Sequence, residues 1–147
     1  MYRISPWLYT GSYDESADPG LLREESIDAV LQVYRPVNHD GIQTHYIASE
    51  EGYPLPAPML VEALAFIDAQ HAQGHRVLIA CGAGISRSVT FAVAALAHTE
   101  GLSLVDAFTR VLKVHPRAMP DEIHWQSLNT YFGESTDYWE MWRTIAL

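Results

Sequence analysis

Apolar residues fall in short blocks separated by glycine and proline, and the blocks change period along the chain. Tyr2 and Ile4 alternate with polar neighbours, and Trp7-Leu8-Tyr9 leads to Gly11-Ser12, a pattern that predicts a first hairpin or pair of short strands. Asp18-Pro19 reads as an N-cap followed by proline at the first helical position, predicting a short helix through about Glu25. Ala29 to Tyr34 is an apolar, β-branched strand bounded by Pro36 and Asn38, with His45-Tyr46-Ile47 as a neighbouring strand. Pro54, Pro56 and Pro58 make Ser49 to Met59 a loop that feeds a helix over roughly Pro58 to Gln73, with apolar positions Val61, Leu64, Ala65 and Ile67 and a stop at Gly74.

Val77-Leu78-Ile79-Ala80 has the unbroken apolar character of a strand buried on both faces of a parallel sheet. A long apolar helix is expected from about Ser88 to His98, closing near Gly101. Ser103 with Asp106 opens another helix that ends before Pro116, and Pro120 begins a last one through about Tyr131, stopped by Gly133. Strand–helix alternation followed by a helical C-terminal third predicts an α/β fold, a central, mostly parallel sheet flanked by helices.

At 147 residues, with 48% hydrophobic and 18% charged residues, the chain is sized for one compact core. Nine basic against eighteen acidic residues give a net charge of −9, which opposes general nucleic-acid binding. Apolar runs are far shorter than the roughly 20 residues of a membrane span. A single cysteine, Cys81, excludes an internal disulfide, and the chain reads as soluble, cytoplasmic and either monomeric or weakly dimeric.

Chemistry concentrates between Cys81 and Arg87, where the strand runs into Gly82-Ala83-Gly84-Ile85-Ser86 and then an arginine at a helix entrance. Two glycines let backbone N–H groups converge on one point, and the helix N-terminus adds partial positive charge. Arg87 offers a planar fork matched to two phosphate oxygens, and the same field favours thiolate over thiol at Cys81. An inert buried cysteine in a βα turn is the bland alternative.

Cys81-Gly-Ala-Gly-Ile-Ser-Arg87-Ser88 resembles the signature loop of cysteine-based phosphatases, the dual-specificity protein phosphatases in particular. Ile4 to Ser12 resembles that family's opening I-x-P-x-L-Y-x-G-S, Gly101 to Ala107 its G-x-S-x-x-x-A helix start, and Pro120 to Tyr131 its closing helix. The likeness covers roughly residues 2 to 132, leaving residues 1–133 as a catalytic domain and 134–147 as an aromatic extension in which Tyr138, Trp139 and Trp142 stand at near-helical spacing.

The resemblance implies a phosphotyrosine-phosphatase-like fold and hydrolysis of a phosphorylated protein or small phosphomonoester through a phosphocysteine. In that scheme Cys81 is the nucleophile, Arg87 and the amides from Gly82 to Arg87 hold the phosphoryl oxygens, and Ser88 assists breakdown of the intermediate. No metal or cofactor is required. A general acid is expected on an upstream loop, where Ile47 to Pro56 resembles the family's I-P-x-x-D-G-x-P and places Glu51 at the aspartate position, with Glu50 second.

The chain departs from the family at three places. Glutamate replaces aspartate at 51; Ala80 stands where histidine usually precedes the cysteine, which implies a raised pH optimum; and Asp121 replaces asparagine, read as altering only a structural hydrogen bond. The first two motivate an alternative, a phosphate-binding module with weak or no turnover. Sulfur transfer through a persulfide at Cys81 is a third reading, disfavoured by Arg87-Ser88. His71 and His75, four apart, flank a helix end and fit no zinc spacing.

Overall fold

A computed structural model describes residues 1–146. Its elements in chain order are β1 (Tyr2–Arg3), β2 (Leu8–Gly11), α1 (Tyr13–Ser16), α2 (Pro19–Glu24), β3 (Ala29–Gln32), β4 (Gln43–Tyr46), α3 (Ala57–Ala72), β5 (Val77–Ala80), α4 (Arg87–Glu100), α5 (Leu104–Val114), α6 (Glu122–Phe132) and α7 (Tyr138–Ala146). The five strands form one sheet in the order β1-β2-β5-β3-β4. β1 is antiparallel to β2, and every other pairing is parallel. The architecture is the expected mixed, mainly parallel α/β sheet. Among the described residues no helix is long and apolar enough to cross a membrane.

Alternation along the central strand sets the two layers. Val77, Ile79 and Cys81 join the larger core with α3 to α6, while Leu78 and Ala80 face a smaller cluster with Tyr9, Leu22, Ile27 and Val30 beside α2. β5 is buried throughout, in keeping with a strand covered on both faces. α4 crosses the larger face, and its residues from Ser88 to Ala97 are all buried. Small side chains at Ala92, Ala94, Ala95 and Ala97 fit a helix packed on several sides.

Several boundaries differ from the sequence-based expectation, each for a local reason. β3 ends at Gln32 rather than Tyr34 because the Gln32 side chain folds back, its Oε1 accepting from the Tyr34 and Arg35 amides at 2.8 and 3.2 Å. β4 begins at Gln43, two residues early. In α3 the inward face is Leu60, Ala63, Leu64 and Ile67, whereas Val61 and Ala65 turn to solvent.

The helix α1 was not expected, although Ser12 and Glu15 carry its signal. The Glu15 amide donates to Ser12 Oγ, and the Glu15 carboxylate accepts from the Ser12 amide, a complete capping box. The aromatic extension is helical and returns to the domain: Met141 and Tyr138 are buried, and Trp142 meets Phe108 edge-on with ring centres 5.3 Å apart. Trp139 stays exposed.

Candidate active site

The parallel strands deliver their C-terminal ends to one rim of the sheet, and the loops that follow β2, β3, β4 and β5 meet there. Cys81 is the first residue after β5 and is almost wholly buried. Its Sγ lies 3.2 Å from the Gly84 amide, which donates to it, and 3.3 Å from Ser88 Oγ.

The turn from Gly82 to Ser86 is shaped from outside. The Gly82 carbonyl accepts from the Tyr13 amide at 2.9 Å, the Gly84 carbonyl from His115 Nε2 at 2.9 Å, and the Ile85 carbonyl from the Met119 amide at 2.9 Å. Gln32 Nε2 donates to the Cys81 carbonyl at 3.4 Å. The carbonyls at 82, 84 and 85 are thus bound from outside the turn, and among the described residues the amides of Ala83, Ile85 and Ser86 donate no hydrogen bond.

Gly84 is the residue this shape cannot do without. Its φ is +78°, and a Cβ there would lie 2.8 Å from the Gly11 carbonyl carbon and 3.0 Å from the Ser12 amide nitrogen. The turn after β2 thus presses directly on the turn after β5. Ser86 stands at the N-cap position of α4 without capping it, which leaves the N-terminal amides of a 14-residue helix open toward the same hollow.

Arg87, the first residue of α4, lies back over this hollow. Nη1 donates to the Ser49 carbonyl at 2.8 Å, and the guanidinium sits 5.0 Å from the centre of the Tyr34 ring. Its Nε is buried and has no hydrogen-bond partner among the described residues, a donor waiting for an acceptor.

The loop between β4 and α3 reaches the same place. Glu51, half-exposed, has Oε1 3.6 Å from Arg87 Nε and Oε2 3.3 Å from Ser86 Oγ, so of the two candidate glutamates it is Glu51 whose carboxylate meets the turn after β5. Glu50 contributes its carbonyl, which accepts from His124 Nε2 at 3.0 Å. Beside them Asp121, the N-cap of α6, accepts from the Ile123 amide at 2.8 Å and from the Gly52 amide at 2.6 Å.

The change to aspartate at 121 therefore does more than the expected structural hydrogen bond, because it ties the loop that carries Glu51 to α6. Burial would raise the Asp121 pKa, but the two amides, the Glu51 side chain and His124 together bring it below the usual carboxylate value. One ligand atom each from Glu51, Asp121 and His124 lie within 4.8 Å of one another, the donor set among the described residues that could hold a metal ion. His71 and His75 form no such group: His71 stacks on Trp7, and His75 Nδ1 pairs with Gln70 Oε1.

The structure thus gathers Cys81, the Gly82–Ser86 turn, Arg87, Ser88 and Glu51 at one rim. It adds Gln32, Tyr34, Ser49, His115, Asp121 and His124, none of which the sequence pattern marked as part of the site. His115, almost fully buried and stacked on Tyr2 with ring centres 3.9 Å apart, anchors the loop through the Gly84 carbonyl.

Comparison with known proteins agrees with this geometry. Residues 8–134 match the model of the dual specificity phosphatase catalytic domain. The chain is 31% identical over 131 residues to mouse dual specificity protein phosphatase 12, covering 84% of this chain and 39% of that protein. Identity reaches 41% over 130 residues with the Drosophila melanogaster dual specificity protein phosphatase Mpk3, covering 84% and 32%. The crystal structure of human DUSP28 superposes with a TM-score of 0.82 at 25% identity, covering 89% of this chain and 94% of that one. The chain thus spans well under half the length of the two full-length relatives.

Proposed function

The chain belongs to the dual-specificity phosphatase family, and from that membership we propose that it hydrolyses phosphomonoesters through a phosphocysteine at Cys81. The observation that carries this reading is the binding of the loop carbonyls from outside, which leaves loop amides without partners beside a sulfur 3.2 Å from the Gly84 amide and 3.3 Å from Ser88 Oγ.

In the first step the substrate phosphoryl group enters the hollow, where the loop amides and the unpartnered Arg87 Nε–H donate to its oxygens. The Cys81 thiolate attacks phosphorus in line with the leaving oxygen, so that a P–S bond forms as the P–O bond breaks. Glu51 donates a proton to the departing oxygen. In the second step water attacks phosphorus, Glu51 takes the water's proton, and the P–S bond breaks to release inorganic phosphate. The Ser88 hydroxyl, 3.3 Å from Sγ, stabilises the thiolate as it leaves.

The substrates this reading favours are phosphotyrosine and phosphoserine/threonine, with a small non-protein phosphate as the further possibility. A net charge of −9 weighs against RNA and anionic membranes as partners. The alternative, a phosphate-binding module with weak or no turnover, draws on Glu51 facing Arg87 Nε at 3.6 Å, where a carboxylate competes with the incoming anion.

The test is hydrolysis of an aryl phosphate in the presence of a chelator. Loss of activity in Cys81→Ser, with an acid-quenched phosphoryl adduct on Cys81 in the unsubstituted protein, is the expected result. Phosphate or tungstate binding without turnover would establish the binding-module reading instead.

A further inference from the structure

Glu51 is held by residues outside its own loop. His124 Nε2 donates to the Glu50 carbonyl at 3.0 Å, and the Gly52 amide donates to Asp121 Oδ2 at 2.6 Å. The backbone groups on either side of Glu51 are therefore gripped by one helix end, that of α6. The grip is built on a rigid element: Asp121 caps α6 through the Ile123 amide, and the next residue after His124, Trp125, is fully buried in the core.

His124 carries a second sign of function. The ring is wholly buried, yet only Nε2 has a partner, and Nδ1 has none among the described residues. A buried unpaired nitrogen costs stability, and an apolar side chain of the same size would fill the space without that cost. What histidine supplies there, and leucine or phenylalanine would not, is the N–H to the Glu50 carbonyl.

Resting on the assignment of Glu51 as the proton donor, we propose that Asp121 and His124 are positioning residues for it. Together they fix the Glu51 backbone beside Arg87, through the Glu50 carbonyl on one side and the Gly52 amide on the other. The glutamate's extra methylene relative to the family's aspartate is thereby accommodated by support from α6 rather than from the acid loop itself.

Proton donation matters most when the leaving group is poor, so the dependence of kcat/KM on leaving-group basicity isolates this role from a loss of folding or of phosphate binding. The measurement uses a series of aryl phosphates, from nitrophenyl to alkoxyphenyl, in chelator. Glu51→Gln is expected to steepen the dependence. Asp121→Ala and His124→Leu are expected to steepen it too, with losses of about tenfold on the most basic leaving group and under about twofold on the least basic. His124→Gln, which retains an N–H donor, should recover most of the loss. Adding His124→Leu to Glu51→Gln should cost nothing further.

Equal losses on every leaving group, or full additivity with Glu51→Gln, would overturn the inference. A steep Glu51→Gln line beside flat lines for Asp121→Ala and His124→Leu would overturn it alone, whereas a flat Glu51→Gln line would overturn the acid assignment itself. Thermal unfolding of each variant accompanies the kinetics. If His124→Leu does not fold, Asp121→Asn carries the same test, because its remaining oxygen preserves the helix cap while the NH2 that replaces Oδ2 cannot accept from the Gly52 amide.

Discussion

Replacing Gly84 by alanine adds one methyl group to the turn that faces the sulfur, and the structure allows its cost to be worked out. The residue sits at φ +78°, where a Cβ crowds its own backbone by about 1–2 kcal/mol. The added carbon would also lie 2.8 Å from the Gly11 carbonyl carbon and 3.0 Å from its oxygen, against main-chain atoms that cannot rotate away. Forcing such a contact in a packed region costs about 1–3 kcal/mol more. Gly133 supplies the control, since it shares the conformation at φ +69° but has no atom within 4 Å of a would-be Cβ. Gly133→Ala should therefore lose only about 1–2 kcal/mol, and Gly84→Ala about 2–5 kcal/mol. Urea unfolding at constant m-value reads both, and the difference of about 1–3 kcal/mol isolates the press of one turn on the other. Because the Gly84 amide also donates to Sγ at 3.2 Å, activity on an aryl phosphate should fall by about 10²–10³. A Gly84→Ala protein as stable as Gly133→Ala and still active within about threefold would refute the claim that this contact shapes the phosphate loop.

Three further outcomes follow from single contacts. Ser88→Ala removes the hydroxyl 3.3 Å from the sulfur, a hydrogen bond to a charged group worth about 1.5–3 kcal/mol; kcat should drop about 10- to 150-fold with a burst of first product in stopped flow, and an unchanged burst would exclude the role. His115→Leu leaves the Gly84 carbonyl without its donor, so unfolding free energy should fall by about 1–3 kcal/mol and tungstate inhibition should weaken, whereas an unchanged inhibition constant would show that the loop holds its shape without this anchor. Asp121 titrates below its ordinary value of 3.8, so its contribution to stability is complete above that value and is lost as pH falls through the lowered one. Urea unfolding across acid pH should show wild type and Asp121→Asn separated above about pH 4 and converging below it, and a gap independent of pH would contradict the shift.

The parts of this molecule that were legible in sequence are those in which one residue type answers a local need. Asp18 before Pro19 caps α2, Ser103 caps α5, and Gly101 and Gly133 close α4 and α6 in the left-handed conformation. Cys81, the glycines after it and Arg87 were readable because chemistry and backbone geometry demand them together within seven residues. What escaped is held by partners distant in the chain. Tyr13, His115 and Met119 reach the phosphate loop across 30 residues or more, and nothing local to any of them encodes the contact. Gln32 looked like the polar interruption of an apolar strand, yet it is fully enclosed and joins Ser16, the Cys81 carbonyl and the two amides that end β3. Helix α1 was the one element whose missed signal was local, the Ser12–Glu15 capping box being too short a stretch to show a hydrophobic period.

The contacts of Arg87 join the two halves of the proposed chemistry into one mechanical unit. A guanidinium that only bound phosphate would leave the acid loop to find its own position. Here Nη1 is bound to the Ser49 carbonyl, two residues before Glu51, while Nε remains open beneath the Glu51 carboxylate. The arginine proposed to receive the phosphoryl oxygens thus also holds the base of the loop that carries Glu51, and Ser86 Oγ, from the turn after β5, reaches Glu51 Oε2. Lysine at 87 keeps the charge but, lacking a planar fork, cannot make both contacts at once. The same substitution would therefore weaken phosphate binding and misplace the acid together, through one side chain whose two ends serve the two reacting sides of the phosphorus.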